Sequence, residues 1–220
     1  MFFKYCSDNV ARVGQASTPA FCPILVKFNH DESKQMSIVR VVKKRYFQSR
    51  TYKKRQLFIQ MMTGPMMNQK ELFDKYFKLD FMSLVSDSVD NVRITLAKAL
   101  KHHYLKEISG AYVYDQEMND LVRVLKMDRC FDVQLTVSEI EPIPTQENVT
   151  LDSFLAMIES KKIAMNWSDS DSSYSEEEQR IEHEMRRHNS EDEIDHGPVL
   201  KSLRKAREQE LIAEFEQKKI

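Results

Sequence analysis

Apolar positions recur at helical steps through most of residues 1–140. In Glu71–Ser86, the residues Leu72, Phe73, Tyr76, Phe77, Phe81, Met82, Leu84 and Val85 fall three and four apart, which predicts an amphipathic helix. Val92–Leu105 repeats the pattern, with Val92, Leu96, Leu100 and Tyr104 on one stripe and Ile94 and Ala97 beside it. Between them lies Asp87-Ser88-Val89-Asp90-Asn91, polar, free of glycine and rich in turn-forming residues. Asp90 or Asn91 is placed to accept N–H bonds from the first turn of the second helix. Two helices and a short turn predict an antiparallel helical hairpin.

The hairpin recurs. Asp87, Val92 and Arg93 define a template, an Asp followed after four residues by Val and Arg. Asp128, Val133 and Gln134 keep its spacing, as do Ser49, Lys54 and Arg55 with weaker chemistry, and Asp8, Val13 and Gly14 near the start. The last positions step by 41, 38 and 41 residues (14 to 55, 55 to 93, 93 to 134). A period of roughly 40 residues with two helices per unit is the signature of HEAT or armadillo repeats. Tetratricopeptide units are shorter, and the Thr-Pro-Leu-His turn of ankyrin units is absent. The expected fold is all-α, a short HEAT-repeat α-solenoid of about three to four helical hairpins over residues 1–145.

The template has a chemical rationale. An Asp at the turn accepts bonds from helix N-termini, where the helix dipole favours a carboxylate. The Arg opens the second helix and can reach the Asp of a neighbouring unit. Asp8, Arg55, Asp87, Arg93 and Asp128 are the expected ladder, with Gly14 and Gln134 in the Arg position at its two ends. Exposed pairs contribute only about 0–1 kcal/mol each. The ladder is therefore expected to set register, and apolar stripes between hairpins to supply most of the stability.

Thr51–Pro144 carries a resemblance to a known family. Thr51-Tyr52-Lys53-Lys54-Arg55-Gln56-Leu57-Phe58 resembles a Tyr-Lys-Arg-Gln-Leu-Phe run in the C-terminal HEAT repeats of the protein phosphatase 4 regulatory subunit 1 family. Glu71-Leu72-Phe73, then Leu84 to Arg93, then Leu96-Ala97-Lys98 is similar to that family's next hairpin. So is Val124-Leu125-Lys126-Met127-Asp128-Arg129 followed by Asp132-Val133. Cys6-Ser7-Asp8-Asn9-Val10 resembles a turn normally well upstream of these. The protein phosphatase 2A scaffold subunit shares the Asn-Val-Arg and Ala-Lys-x-Leu patterns more distantly. Family members are far longer, and the array here is expected to begin inside a repeat.

The resemblance implies a non-catalytic regulatory or scaffold subunit whose partner is the catalytic subunit of a type-2A-like phosphatase, phosphatase 4 before others. By analogy of position, intra-repeat turns would hold that partner. The candidate contacts are Thr51, Tyr52 and Lys53 in one turn, Ser88, Val89 and Asp90 in the next, and Cys130 and Phe131 in the third. Phe131 is the best anchor if it is exposed. The alternative is a generic HEAT adaptor, in transport or nuclear import, with no phosphatase.

After Pro142 and Pro144 the character changes. Residues 146–166 are read as a capping helix and linker, with Leu151, Phe154, Leu155 and Ile158 on one face of Val149–Lys161, covering the last hairpin. Residues 167–196 form an acidic, Ser-rich stretch too poor in apolar side chains to order itself. Ser168, Ser173, Ser175 and Ser190 each have an acid three residues on, the pattern of acidophilic kinase sites. Residues 197–220 are read as a charged amphipathic helix with Leu200, Leu203, Leu211, Ile212 and Phe215.

Charge sharpens this division. The chain has 33 Lys and Arg against 34 Asp and Glu. Residues 1–145 hold 22 basic and 16 acidic side chains, whereas 146–220 hold 11 and 18. Four glycines nearly exclude a Gly-rich phosphate loop. Three distant cysteines give no zinc or redox spacing and fit a reducing compartment. His102 and His103 are adjacent, hence about 100° apart on a helix, and are expected on a solvated face rather than on a metal. No catalytic spacing of carboxylates with His or Lys is present, so the expectations are no enzyme activity, no cofactor and no metal. Lys43-Lys44-Arg45 and Lys53-Lys54-Arg55 concentrate basic charge without an aromatic stacking platform, which argues against nucleic acid. With no membrane span expected, the reading is a cytoplasmic protein, the nucleus being left open by the basic runs.

Overall fold

Helices make up most of the chain described in the computed structural model, which covers residues 11–106, 115–144 and 149–165. Among these residues there is no strand, and the fold is all-α. All of them belong to one unit, Met1–Gln179. Asp8, the segment with Ser168, Ser173, Ser175 and Ser190, and the segment 197–220 lie outside the described residues.

The chain begins with α1 (Ala11–Ser17), a 3-10 turn and α2 (Phe21–Lys27). Helix α3 (Glu32–Val42) starts at Asp31, whose carboxylate accepts the Lys34 N–H at 3.0 Å. It runs on through a π-helical turn, Lys43–Phe47, closed by the Gln48 N–H donating to the Lys43 carbonyl at 2.9 Å. Then come α4 (Tyr52–Met62), the single turn α5 (Pro65–Asn68), α6 (Lys70–Tyr76) and α7 (Lys78–Ser83), the last extended by a 3-10 turn to Ser86. The remaining helices are α8 (Asp90–Lys106), α9 (Gln116–Lys126), α10 (Phe131–Val137) and α11 (Leu151–Ala164). Helices α4, α8 and α10 pack in series, α4 on α8 and α8 on α10, and α9 packs on α10 within the last hairpin.

Gly64 makes the break between α4 and α5, with φ at 70°. A left-handed φ suits a residue without a Cβ, and Pro65 then opens the next turn. Met61, Met62, Met66 and Met67 around this break are all buried, and their flexible thioether chains fill its irregular shape.

The structure corrects two expectations and extends a third. The helix predicted over Glu71–Ser86 is broken at Phe77, where φ and ψ are −128° and −23°. The break lets the Phe77 ring enter a buried aromatic cluster, edge-on to Phe21 at 5.7 Å and to Phe58 at 6.2 Å. His103 is buried, not solvated, while His102 is exposed. It continues the stripe of Leu96 and Leu100, and its ring meets Tyr104 edge-on at 6.2 Å. Helix α11, expected to cover the last hairpin, packs on α9 of that hairpin and on α7 as well. Phe154 and Ile158 are buried there, but Leu151 is exposed. Ion pairs from Lys162 to Asp80 (3.2 Å) and from Lys161 to Glu117 hold α11 across those two helices.

Candidate partner-docking ridge

Three turns of different sequence share one hydrogen-bond pattern. At Ser49, Asp87 and Asp128 a side-chain oxygen accepts the N–H two residues on, from Thr51 (3.2 Å), Val89 (2.9 Å) and Cys130 (2.7 Å). The carbonyls of Thr51, Val89 and Cys130 then start the next helix by accepting from Lys54 (3.0 Å), Val92 (3.0 Å) and Val133 (3.1 Å). Six residues after each turn oxygen, a side chain reaches back to the turn carbonyl. Arg55 donates to Ser49 at 2.7 Å, Arg93 to Asp87 at 2.7 Å, and Gln134 to Asp128 at 2.5 Å. Short polar side chains at these positions satisfy backbone groups that a helix start leaves without partners. Asp87, rather than Asp90 or Asn91, therefore supplies the turn's carboxylate; Asp90 pairs with Arg93 at 2.9 Å.

Each arginine also grips the following turn. The Arg55 guanidinium meets both oxygens of Asp87, Nε to Oδ2 at 2.5 Å and a terminal nitrogen to Oδ1 at 3.0 Å. Arg93 meets Asp128 in the same two-pronged way at 2.7 and 3.0 Å. The side chains of Arg93 and Asp128 are only 3% and 7% exposed. These are buried pairs, so the small contribution expected of exposed pairs does not apply. Bonding to its aspartate raises the basicity of each arginine. For Asp128, burial pushes the carboxyl up, but hydrogen bonds from Arg93 and the Cys130 N–H outweigh it and hold the group below the usual carboxylate range.

The remaining side chains of the turns differ in exposure. Thr51, Tyr52 and Lys53 are exposed in the first, Ser88 and Asp90 in the second, and Val89 and Cys130 are half-buried. Phe131 is 69% exposed, and Leu135, one helical turn further along α10, is 57% exposed. The third turn touches the second, with the Arg129 guanidinium donating to the Ser88 carbonyl at 3.4 Å.

A second ion-pair system lies outside the three turns. Lys78, nearly buried, pairs with Asp115 (2.7 Å) and Glu117 (2.8 Å). Asp115 also accepts the Met118 N–H at 3.1 Å, which starts α9. Burial raises the Asp115 carboxyl, but the bonds from Lys78 and Met118 leave it lowered. Lys75 pairs with Glu32 at 2.7 Å and Lys43 with Asp80 at 2.8 Å. The signal was in the spacing, since Lys78 and Asp115 lie 37 positions apart, close to one period.

Among the described residues no group of three or more His, Cys, Asp or Glu is placed to hold a metal ion. Among them, too, no helix is long and apolar enough to cross a membrane. No family model, curated protein or solved structure matches this chain.

Proposed function

We propose that the chain is a HEAT-type α-solenoid acting as a non-catalytic docking subunit, with a type-2A-like phosphatase catalytic subunit as its partner, phosphatase 4 before others. The observation that carries the architecture is the turn pattern at Ser49, Asp87 and Asp128, three copies of one set of bonds joined by Arg55–Asp87 and Arg93–Asp128. Stacked hairpins with identical turns supply a row of equivalent attachment points, which suits holding a protein rather than transforming a small molecule. The partner's identity is supported by the sequence likeness of Thr51–Pro144 alone.

Tyr52 and Phe131 are the anchors in this reading, because exposed aromatics bring large contact area at small entropic cost. The purified full-length chain is expected to bind purified phosphatase 4 catalytic subunit directly, and the Tyr52→Ala/Phe131→Ala variant to bind at least tenfold more weakly. No binding by the parent chain refutes the partner. Unchanged binding by the variant removes those turns from the interface. Capture of transport factors without any phosphatase favours the adaptor reading.

A further inference from the structure

From Arg40 to Arg55 the chain carries eight basic residues and no acidic one. Lys43 and Arg55 pair with Asp80 and Asp87. Lys44, Arg50, Lys53 and Lys54 are exposed and Arg45 is half-buried. The π-helical turn packs against α4, so these cations lie on two adjoining segments. Nothing in the turn pattern needs their charge.

The C-terminal end of α11 lies beside the first of these segments. The Lys162 ammonium sits 5.5 Å from the centre of the Phe47 ring. Met165, the last described residue, lines a cavity of about 110 Å³ together with Lys43, Phe47 and Gln48. Three residues later the sequence enters Ser168–Glu178, eleven residues with five carboxylates, five serines and no basic side chain. The most acidic uninterrupted stretch thus leaves the fold next to its most basic turn.

We propose that Ser168–Glu178 of this same chain docks on the basic turn formed by Lys44, Arg45, Arg50, Lys53 and Lys54. Thirteen residues from Asn166 to Glu178 span up to roughly 40 Å, ample for a neighbouring turn. A tether this short gives an effective concentration on the order of millimolar, so weak charge pairing suffices to populate the contact. Phosphate on Ser168, Ser173 or Ser175 adds about −1.5 to −2 charges each and tightens it. The docked segment covers Lys53 and the approach to Tyr52, and so competes with a partner at the first turn. That consequence rests on the docking reading above; the contact itself does not.

Carbodiimide cross-linking of the full chain separates the two, because it joins a lysine amine to a carboxylate in direct contact and needs no partner. Links from Lys44, Lys53 or Lys54 to Asp169, Asp171 or Glu176–Glu178 are expected in the monomer band, and are expected to fall about fivefold or more in about 0.5 M salt. The variant Arg45→Glu/Arg50→Glu, which keeps all three reacting lysines, is expected to lose them with its circular dichroism unchanged. Trp167, the single tryptophan, gives a second readout on the unmodified chain, with anisotropy falling as salt rises. Four results overturn the proposal: links only in a dimer band, links only to other lysines, links unaffected by charge reversal, or Trp167 anisotropy insensitive to salt.

Discussion

Replacing Arg93 with alanine tests whether the buried pairs hold the hairpins together or only align them. The substitution removes the two-pronged contact with Asp128, at 2.7 and 3.0 Å, and the bond to the Asp87 carbonyl. It leaves the Asp128 carboxylate 7% exposed, with the Cys130 N–H still donating to it. Removing one member of a buried, hydrogen-bonded ion pair costs about 3–5 kcal/mol. In a unit of this size each kcal/mol lowers Tm by about 2–4 °C, so a loss on the order of 10 °C is expected. Urea unfolding of Arg93→Ala, Asp128→Ala and the double variant, followed by circular dichroism, closes a cycle whose coupling energy is expected near 2 kcal/mol. Arg93→Lys keeps the charge but not the planar fork, and should restore less than half of the loss. A total cost below about 1 kcal/mol with no coupling is the behaviour of a surface pair and would refute the reasoning.

Acid should weaken the fold through Asp128 and Asp115, whose carboxyls are both held low. A depressed folded pKa gives stability that is complete above the unfolded value, about 4, and is lost as pH falls through the lower folded value. Melts between about pH 5 and pH 3 should therefore show a falling Tm, less steep in Asp128→Asn; a Tm that rises on acidification contradicts the assignment. Gly64→Ala meets no atom within 4 Å, so its cost is purely the strain of a φ near 70°, about 1–3 kcal/mol by denaturant unfolding. Unchanged stability would mean that the turn relaxes. Phe154→Ala is expected to cost about 3 kcal/mol and to expose α11 to hydrogen exchange before the other helices, since that ring anchors it. Tyr52→Ala/Phe131→Ala should alter capture of the phosphatase subunit but shift stability by no more than about 0.5 kcal/mol, both side chains being exposed.

Sequence periodicity revealed the recurring turns because their chemistry is local. An Asp or Ser at the turn and a long donor six residues on make the same bonds wherever they occur, so Ser49, Asp87 and Asp128 could be aligned without coordinates. What periodicity missed depends on neighbours distant in the chain. Phe77 breaks its helix because Phe21 and Phe58 lie beside it, and no local propensity signals that. The burial of His103 follows from its place on the Leu96–Leu100 stripe, three residues beyond Leu100. The exposure of the ladder was misjudged because charged side chains are seldom buried. Only the two-pronged geometry, with further bonds to Asp87 and Asp90, makes burial of Arg93 tolerable.

The grip of each arginine on the next aspartate has a direction: the cation always belongs to the earlier turn and the anion to the later one. Such head-to-tail links tie only adjacent modules. Excising the stretch between equivalent points, for instance from just after Arg55 through Arg93, would bring Arg55 into the place of Arg93 opposite Asp128. Loss of a whole stretch of this kind re-forms an arginine–aspartate link across the join, whereas loss of a few residues within it misaligns the links on either side.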